Sequence, residues 1–186
     1  MVFLNRRLTP RAIRAALALA IVCPAAAASA QPTIENDVKA TFLYNFIKFV
    51  EWPAAPSPST APFRLCVLAD PEFTRAVDRT IAGESVEGRH LERVEPQSVD
   101  ELSTCAILYV GREHVDRSAR LLAAARDLPV LTVGDGAQFV ERGGAIGFVL
   151  ENNRVRFDVS ARAVQRSGLK VSSKLLRVAR SVEGGR

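Results

Sequence analysis

Between positions 34 and 52 apolar residues recur every three or four places: Ile34, Val38, Phe42, Phe46 and Phe49, with Leu43, Ile47 and Val50 widening the stripe. That spacing predicts one long amphipathic helix, about 34–52, capped by Thr33 or Asn36. Pro53 cannot continue it and disfavours helical geometry at Trp52. Five of the chain's twelve aromatic residues lie between Phe42 and Trp52, so this face is expected to pack against a core before it does anything else. A segment with four prolines, 53–62, then reads as a loop.

From Phe63 the pattern changes to short apolar runs separated by turns and helical stretches. Residues 63–68 read as a strand covered on both faces. Asp70-Pro71-Glu72 is an N-cap followed by proline in the first turn, opening a helix to about Arg79. Strands are predicted at 90–94, 105–110 and 130–133, with a helix over 115–125 between the last two. Further on, 145–150 and 155–159 flank Asn152-Asn153, residues that tolerate left-handed geometry, and predict a β-hairpin. In its second strand Val155, Phe157 and Val159 are expected on one face and Arg154, Arg156 and Asp158 on the solvent face. A last helix is expected over 172–180, with Leu175, Leu176 and Ala179 inward and Lys174, Arg177 and Arg180 outward. The fold class is α/β: a mostly parallel sheet flanked by helices, with a long N-terminal helix and a C-terminal β-hairpin followed by a helix.

The first 30 residues read differently. Arg6, Arg7, Arg11 and Arg14 precede an apolar run over 15–23, then Pro24 and Ala28-Ser29-Ala30. A basic start, a short apolar stretch and a small-x-small site describe a secretory signal peptide cut after Ala30, too short to span a bilayer. Residues 31–186 are then expected to form one domain of an exported protein, without a membrane span once processed. The leader also explains the alkaline composition. The whole chain has 25 Lys+Arg against 20 Asp+Glu, and the leader holds four arginines and no acid. What remains is nearly balanced, so nucleic-acid binding loses its electrostatic support. A basic C-terminal edge persists, with seven basic residues over 162–186 against Glu183 alone.

Cys66 and Cys105 are the two cysteines beyond the leader. An even pair in an oxidising compartment is read first as a disulfide. The rival reading, a reactive thiol, is weakened because both lie in apolar, strand-like runs that raise a thiol pKa. Chemistry is otherwise sparse. His90 and His114 lack metal-ligand spacing, so no metal site is expected. Ser172-Ser173-Lys174 misses the S-x-x-K spacing and reads as a helix cap. Asp70, Gly111 and Gly134 stand at carboxyl ends of predicted strands, the rim where open α/β sheets bind ligands. They form the alternative candidate, a small-ligand or enzymatic site. No catalytic residue, no cofactor and no enzymatic activity are assigned.

The run Val38-Lys39-Ala40-Thr41-Phe42-Leu43-Tyr44-Asn45-Phe46, continued by Glu51-Trp52-Pro53, resembles the opening signature of the YfiR-like family of exported bacterial proteins. Matching blocks follow in order: Leu65-Cys66-Val67-Leu68, Cys105-Ala106-Ile107-Leu108, Pro129-Val130-Leu131-Thr132-Val133, Gly143-Gly144 with the hairpin to Phe157, and 169–176 from Leu169-Lys170 to Leu175-Leu176. The resemblance implies a periplasmic α/β domain with a Cys66–Cys105 disulfide. It also implies a negative regulator that binds the periplasmic part of an inner-membrane diguanylate cyclase and lowers cyclic-di-GMP and biofilm formation. A homodimer is compatible with this expectation. Some relatives carry a second cysteine pair near the hairpin, which this chain lacks. Arg154, Arg156 and Asp158, with Lys170, are the expected partner-binding surface, since charges there cost little in folding and can steer a partner.

Overall fold

The computed structural model describes residues 30–53 and 61–184. The expected signal peptide, apart from Ala30, and most of the proline-rich loop lie outside the described residues. Elements follow in chain order: helix α1 (Ala30–Phe49), β1 (Val50–Glu51), β2 (Phe63–Leu68), α2 (Pro71–Ile81), β3 (Ser85–Val86) and β4 (Arg89–Val94). Then come β5 (Ile107–Val110), α3 (Val115–Ala125), β6 (Leu131–Asp135), α4 (Gln138–Glu141), β7 (Ile146–Glu151) and β8 (Arg154–Ser160). The chain closes with α5 (Ala161–Arg166), β9 (Lys170–Val171), α6 (Ser173–Val178) and β10 (Ser181–Glu183).

The main sheet has the order β10-β8-β7-β6-β5-β2-β4-β3. β4, β2, β5, β6 and β7 run parallel, β8 turns back antiparallel to β7, and β10 runs parallel to β8. This is the expected α/β architecture. The chain first steps from β2 outward to β4, then returns to the other side of β2 to lay down β5. That reversal places a topological switch point between β2 and β5.

Local chemistry accounts for most element ends. Asp70 caps α2 by accepting the amides of Glu72 and Phe73 at 2.8 and 2.9 Å, with Pro71 in the first turn. Ser172 caps α6 through the Lys174 amide. Asn152 and Asn153 adopt φ of 50° and 58°, the left-handed pair of a tight hairpin turn. Helix α1 differs from expectation at both ends. It starts at Ala30, so Thr33 and Asn36 lie inside it, and it stops at Phe49. Val50 and Glu51 instead pair with Val171 and Lys170, and the Ser172 amide donates to the Phe49 carbonyl.

Each face of the sheet carries its own core. On one face α1 and α2 cover Leu65, Val67, Ile107, Tyr109, Val133, Phe148 and Phe157. Phe42 and Phe46 of α1 each meet Phe157 edge-on at 5.3 Å, and Phe46 stacks on Phe148 at 5.9 Å. The expectation that the α1 aromatics serve packing holds. On the opposite face α3, α4 and the turn before Cys105 cover Cys66, Leu68, Leu108 and Val110.

Cys66 and Cys105 form a disulfide on that second face, with Cα atoms 5.7 Å apart and a sequence separation of 39. Both are buried. The bond pins the residues leading into β5 to the middle of β2. Reduction, or the Cys66→Ala/Cys105→Ala pair, is expected to cost about 4 kcal/mol in the chain-entropy account. Urea unfolding with and without reductant measures it, and an unchanged midpoint would contradict the assignment.

Candidate functional site

At the carboxyl ends of β2, β5 and β6 the expected rim is present. A cavity of about 220 Å³ there is lined by Asp70, Gly111, Arg112, Asp135, Glu35 and Lys39, among others. Asp70 and Gly111 therefore come together as the sequence suggested. Gly134 does not join them. A Cβ at Gly134 would run into the ring of Phe139, which is wedged between Gly134 and Gly144 on the opposite face. Its glycine serves packing, and the next residue, Asp135, is the one that lines the cavity.

Helix α1 forms one wall of this rim. Lys39 is only 5% exposed, and its Nζ lies 2.6 Å from Glu35 Oε1, one turn earlier, and 2.8 Å from Asp135 Oδ1. Arg112 stands outside this pair, 3.7 Å from each carboxylate. The Asp135 Oδ1 contact is an ion pair without hydrogen-bond geometry. Beneath, Tyr109 packs its ring on Phe73 at 4.3 Å. Burial raises the Tyr109 phenol well above its usual 10, and the charges of Asp135 and Glu113 push it the same way, so it stays a neutral donor. Asp70 spends its carboxylate on capping α2, and the Gly111 amide donates to the Leu68 carbonyl. Lys39, Asp135, Asp70 and Gly111 thus each make a structural contact, and the Lys39 cation stands in the wall of the cavity.

Nothing in the local sequence pattern marked Lys39 as buried, because its partner Asp135 lies far along the chain. The motif that could have hinted at it is the Glu35/Lys39 spacing of one helical turn.

The hairpin surface needs a correction. Arg154 and Arg156 are exposed, as expected, but Asp158 is 2% exposed. It accepts Nε and Nη2 of Arg180 at 2.8 and 2.5 Å and the hydroxyl of Ser181 at 2.7 Å. The alternation is correct, yet β10 pairs beside β8 and covers that end of the strand. Arg180, expected to point outward, is the cation that closes over Asp158. Lys170 is exposed but belongs to the β1–β9 ladder, outside the Arg154–Arg156 row. His90 is exposed, and among the described residues no three acidic, histidine or cysteine side chains are grouped to hold a metal. No described helix is long and apolar enough to cross a membrane.

With this geometry established, comparison with known proteins decides the family. A model of the YfiR/HmsC-like family matches residues 36–180. The chain belongs to the YfiR/HmsC-like family. Two solved structures share the fold at low identity. A conserved domain protein from Vibrio cholerae O1 biovar El Tor strain N16961 gives a TM-score of 0.53 at 9% identity over 80% of this chain. An ABC domain in complex with L-Trp from Streptococcus pneumonia gives 0.52 at 10% identity, again over 80%. This chain spans about 60% of each of those chains. The likeness concerns the fold alone.

Two outcomes follow from the charges. Lys39→Met is expected to lose about 3 kcal/mol, because it strands the Asp135 carboxylate in a buried site. Lys39→Met with Asp135→Asn should recover much of that in urea unfolding; a double variant as unstable as the single would contradict the account. Asp158 is held below the usual carboxylate range, mainly by its hydrogen bond from Arg180 and despite burial. Its contribution is therefore complete above the unfolded-state pKa and lost as pH falls through the folded value. The urea midpoint of Asp158→Asn should lie below wild type at neutral pH and converge with it in acid. A gap independent of pH would rule this out.

Proposed function

We propose that this protein is an exported regulator that binds the periplasmic domain of an inner-membrane diguanylate cyclase and holds it in its inactive conformation. Cyclic-di-GMP, and with it biofilm and exopolysaccharide formation, is thereby lowered. The observation that carries this reading is the YfiR/HmsC-like match across residues 36–180. The geometry is consistent with it, since the hairpin projects exposed groups suited to another surface. Arg154 and Arg156 offer two cations on one face of the hairpin, and Leu150, 56% exposed and paired with Val155, offers an apolar contact on the other.

Repression of this kind is a population shift. A regulator alters the cyclase only through unequal affinity for its two states, and moving the equilibrium from 1:99 to 99:1 takes a preference of about 10⁴-fold. A rigid face suits that task, because little binding energy is spent on ordering it. Charged residues at its edge act chiefly on encounter and on partner choice.

The trial is capture from membranes with the mature protein under mild crosslinking, paired with cyclic-di-GMP measurement in cells lacking it. A membrane diguanylate cyclase should be recovered, and cyclic-di-GMP should rise several-fold on deletion. Arg154→Glu/Arg156→Glu should cut recovery by about tenfold or more with the urea midpoint unchanged. Absence of any cyclase together with unchanged cyclic-di-GMP would overturn the proposal.

A further inference from the structure

Opposite the rim, near the start of β6, two adjoining hollows of about 250 and 310 Å³ form one groove. Four arginines from separate parts of the chain line it: Arg126 at the end of α3, Arg142 just after α4, and Arg162 and Arg166 on α5. Among the described residues the side chains of Arg126, Arg162 and Arg166 make no hydrogen bond or ion pair, and that of Arg142 reaches only the Gln138 amide oxygen, at 3.4 Å. The carboxylates lining the groove are Glu141 and Glu183. Some arginines elsewhere are paired, Arg79 with Asp37, Arg93 with Asp78 and Arg180 with Asp158, whereas these four converge on one groove without a carboxylate partner among the described residues. Here the positive charge is left over.

The groove also holds spare donors. Thr132 and Ser160 are 7% and 8% exposed, and their oxygens accept the amides of Ala145 and Ala163 at 2.9 and 3.2 Å. Neither hydroxyl proton is given to another described residue. Leu122, Val130 and Ala163 supply an apolar wall. Solvated arginines alone would explain exposed charge. They do not explain two nearly buried hydroxyls whose protons no other described residue accepts.

We propose that this groove binds a phosphate-bearing small molecule. Phosphate oxygens match the forked N–H donors of arginine, which favour bidentate contacts, and the Thr132 and Ser160 hydroxyls can complete the donor set from the floor. Several guanidiniums suit a ligand with more than one negative charge, and the apolar wall suits a non-polar substituent beside the phosphate. A free phosphate compound and a phospholipid headgroup share this chemistry.

Calorimetric titration of the mature chain with inorganic pyrophosphate and with phenyl phosphate, at matched ionic strength, tests it. Saturable binding is expected, weakened about tenfold or more by Arg126→Ala/Arg166→Ala and restored in part by Arg126→Lys/Arg166→Lys. Arg117→Ala/Arg120→Ala, whose residues line a different hollow beside Gln97, should leave affinity unchanged. Far-UV circular dichroism and urea midpoints check that the variants fold. Co-sedimentation with phosphatidylglycerol vesicles, competed by pyrophosphate and lost in the alanine variant, would identify the headgroup as the source. No saturable binding of either probe, equal binding by the alanine variant, or vesicle binding that survives it would overturn the proposal.

Discussion

Burial of the α1 aromatic stripe against one face of the sheet is the contact on which the remaining structure depends. A largely parallel sheet needs both faces covered, and connections alone do not achieve that here. α3 and α4 cover the second face, and α2 lies beside α1 on the first. The stretch of sheet formed by β7 and β8 receives its cover from Phe42 and Phe46. Such aromatic pairs contribute about 0.5–1.5 kcal/mol each beyond their burial. Ala40, Leu43 and Phe46 are completely buried, so the helix is held along much of its length.

That packing has an electrostatic consequence. Lys39 precedes Phe42 by three residues, and side chains at that spacing share a helix face. Once Phe42 is seated on the sheet, Lys39 must enter it too, at the carboxyl end where Asp135 and Tyr109 emerge. A buried ammonium is tolerable only with partners, and Glu35 and Asp135 provide them. The rim that would hold a ligand in a comparable sheet is thereby narrowed by the helix that completes the core, leaving a hollow of about 220 Å³.

Much of this was legible along the chain, and the reasons for the exceptions are specific. The Asp70-Pro71 cap, the Asn152-Asn153 turn and the parallel strand series are local patterns, and the structure contains them. Of the predicted α1 stripe the part from Phe42 onward packs inward, while Ile34 and Val38 are 64% and 37% exposed because the helix turns Lys39, Ala40 and Leu43 to the sheet. Elements supported by distant pairing were not visible. β1 and β9 have two residues each and exist through one another, while β10 forms because Arg180 and Ser181 dock on β8. Asp158 shows the difference most clearly: period-two alternation assigned its face correctly, but exposure depends on Arg180, 22 residues on. Gly134 was misread because a glycine at a strand end carries the same letter whether it admits a ligand or a phenylalanine ring.

The basic C-terminal edge illustrates why composition alone does not assign function. Four of its seven cations show three different fates. Arg180 is consumed by Asp158, Lys170 stands on the short β1–β9 ladder, and Arg162 and Arg166 turn into a groove with Arg126 and Arg142. Only the fold separates these cases, since one run of sequence supplies them all. Where an acid lies within reach, the charge fastens one strand to another. Where no carboxylate pairs with it and hydroxyl protons are unused, the same residue type retains its capacity to bind, and recognition chemistry is to be sought there.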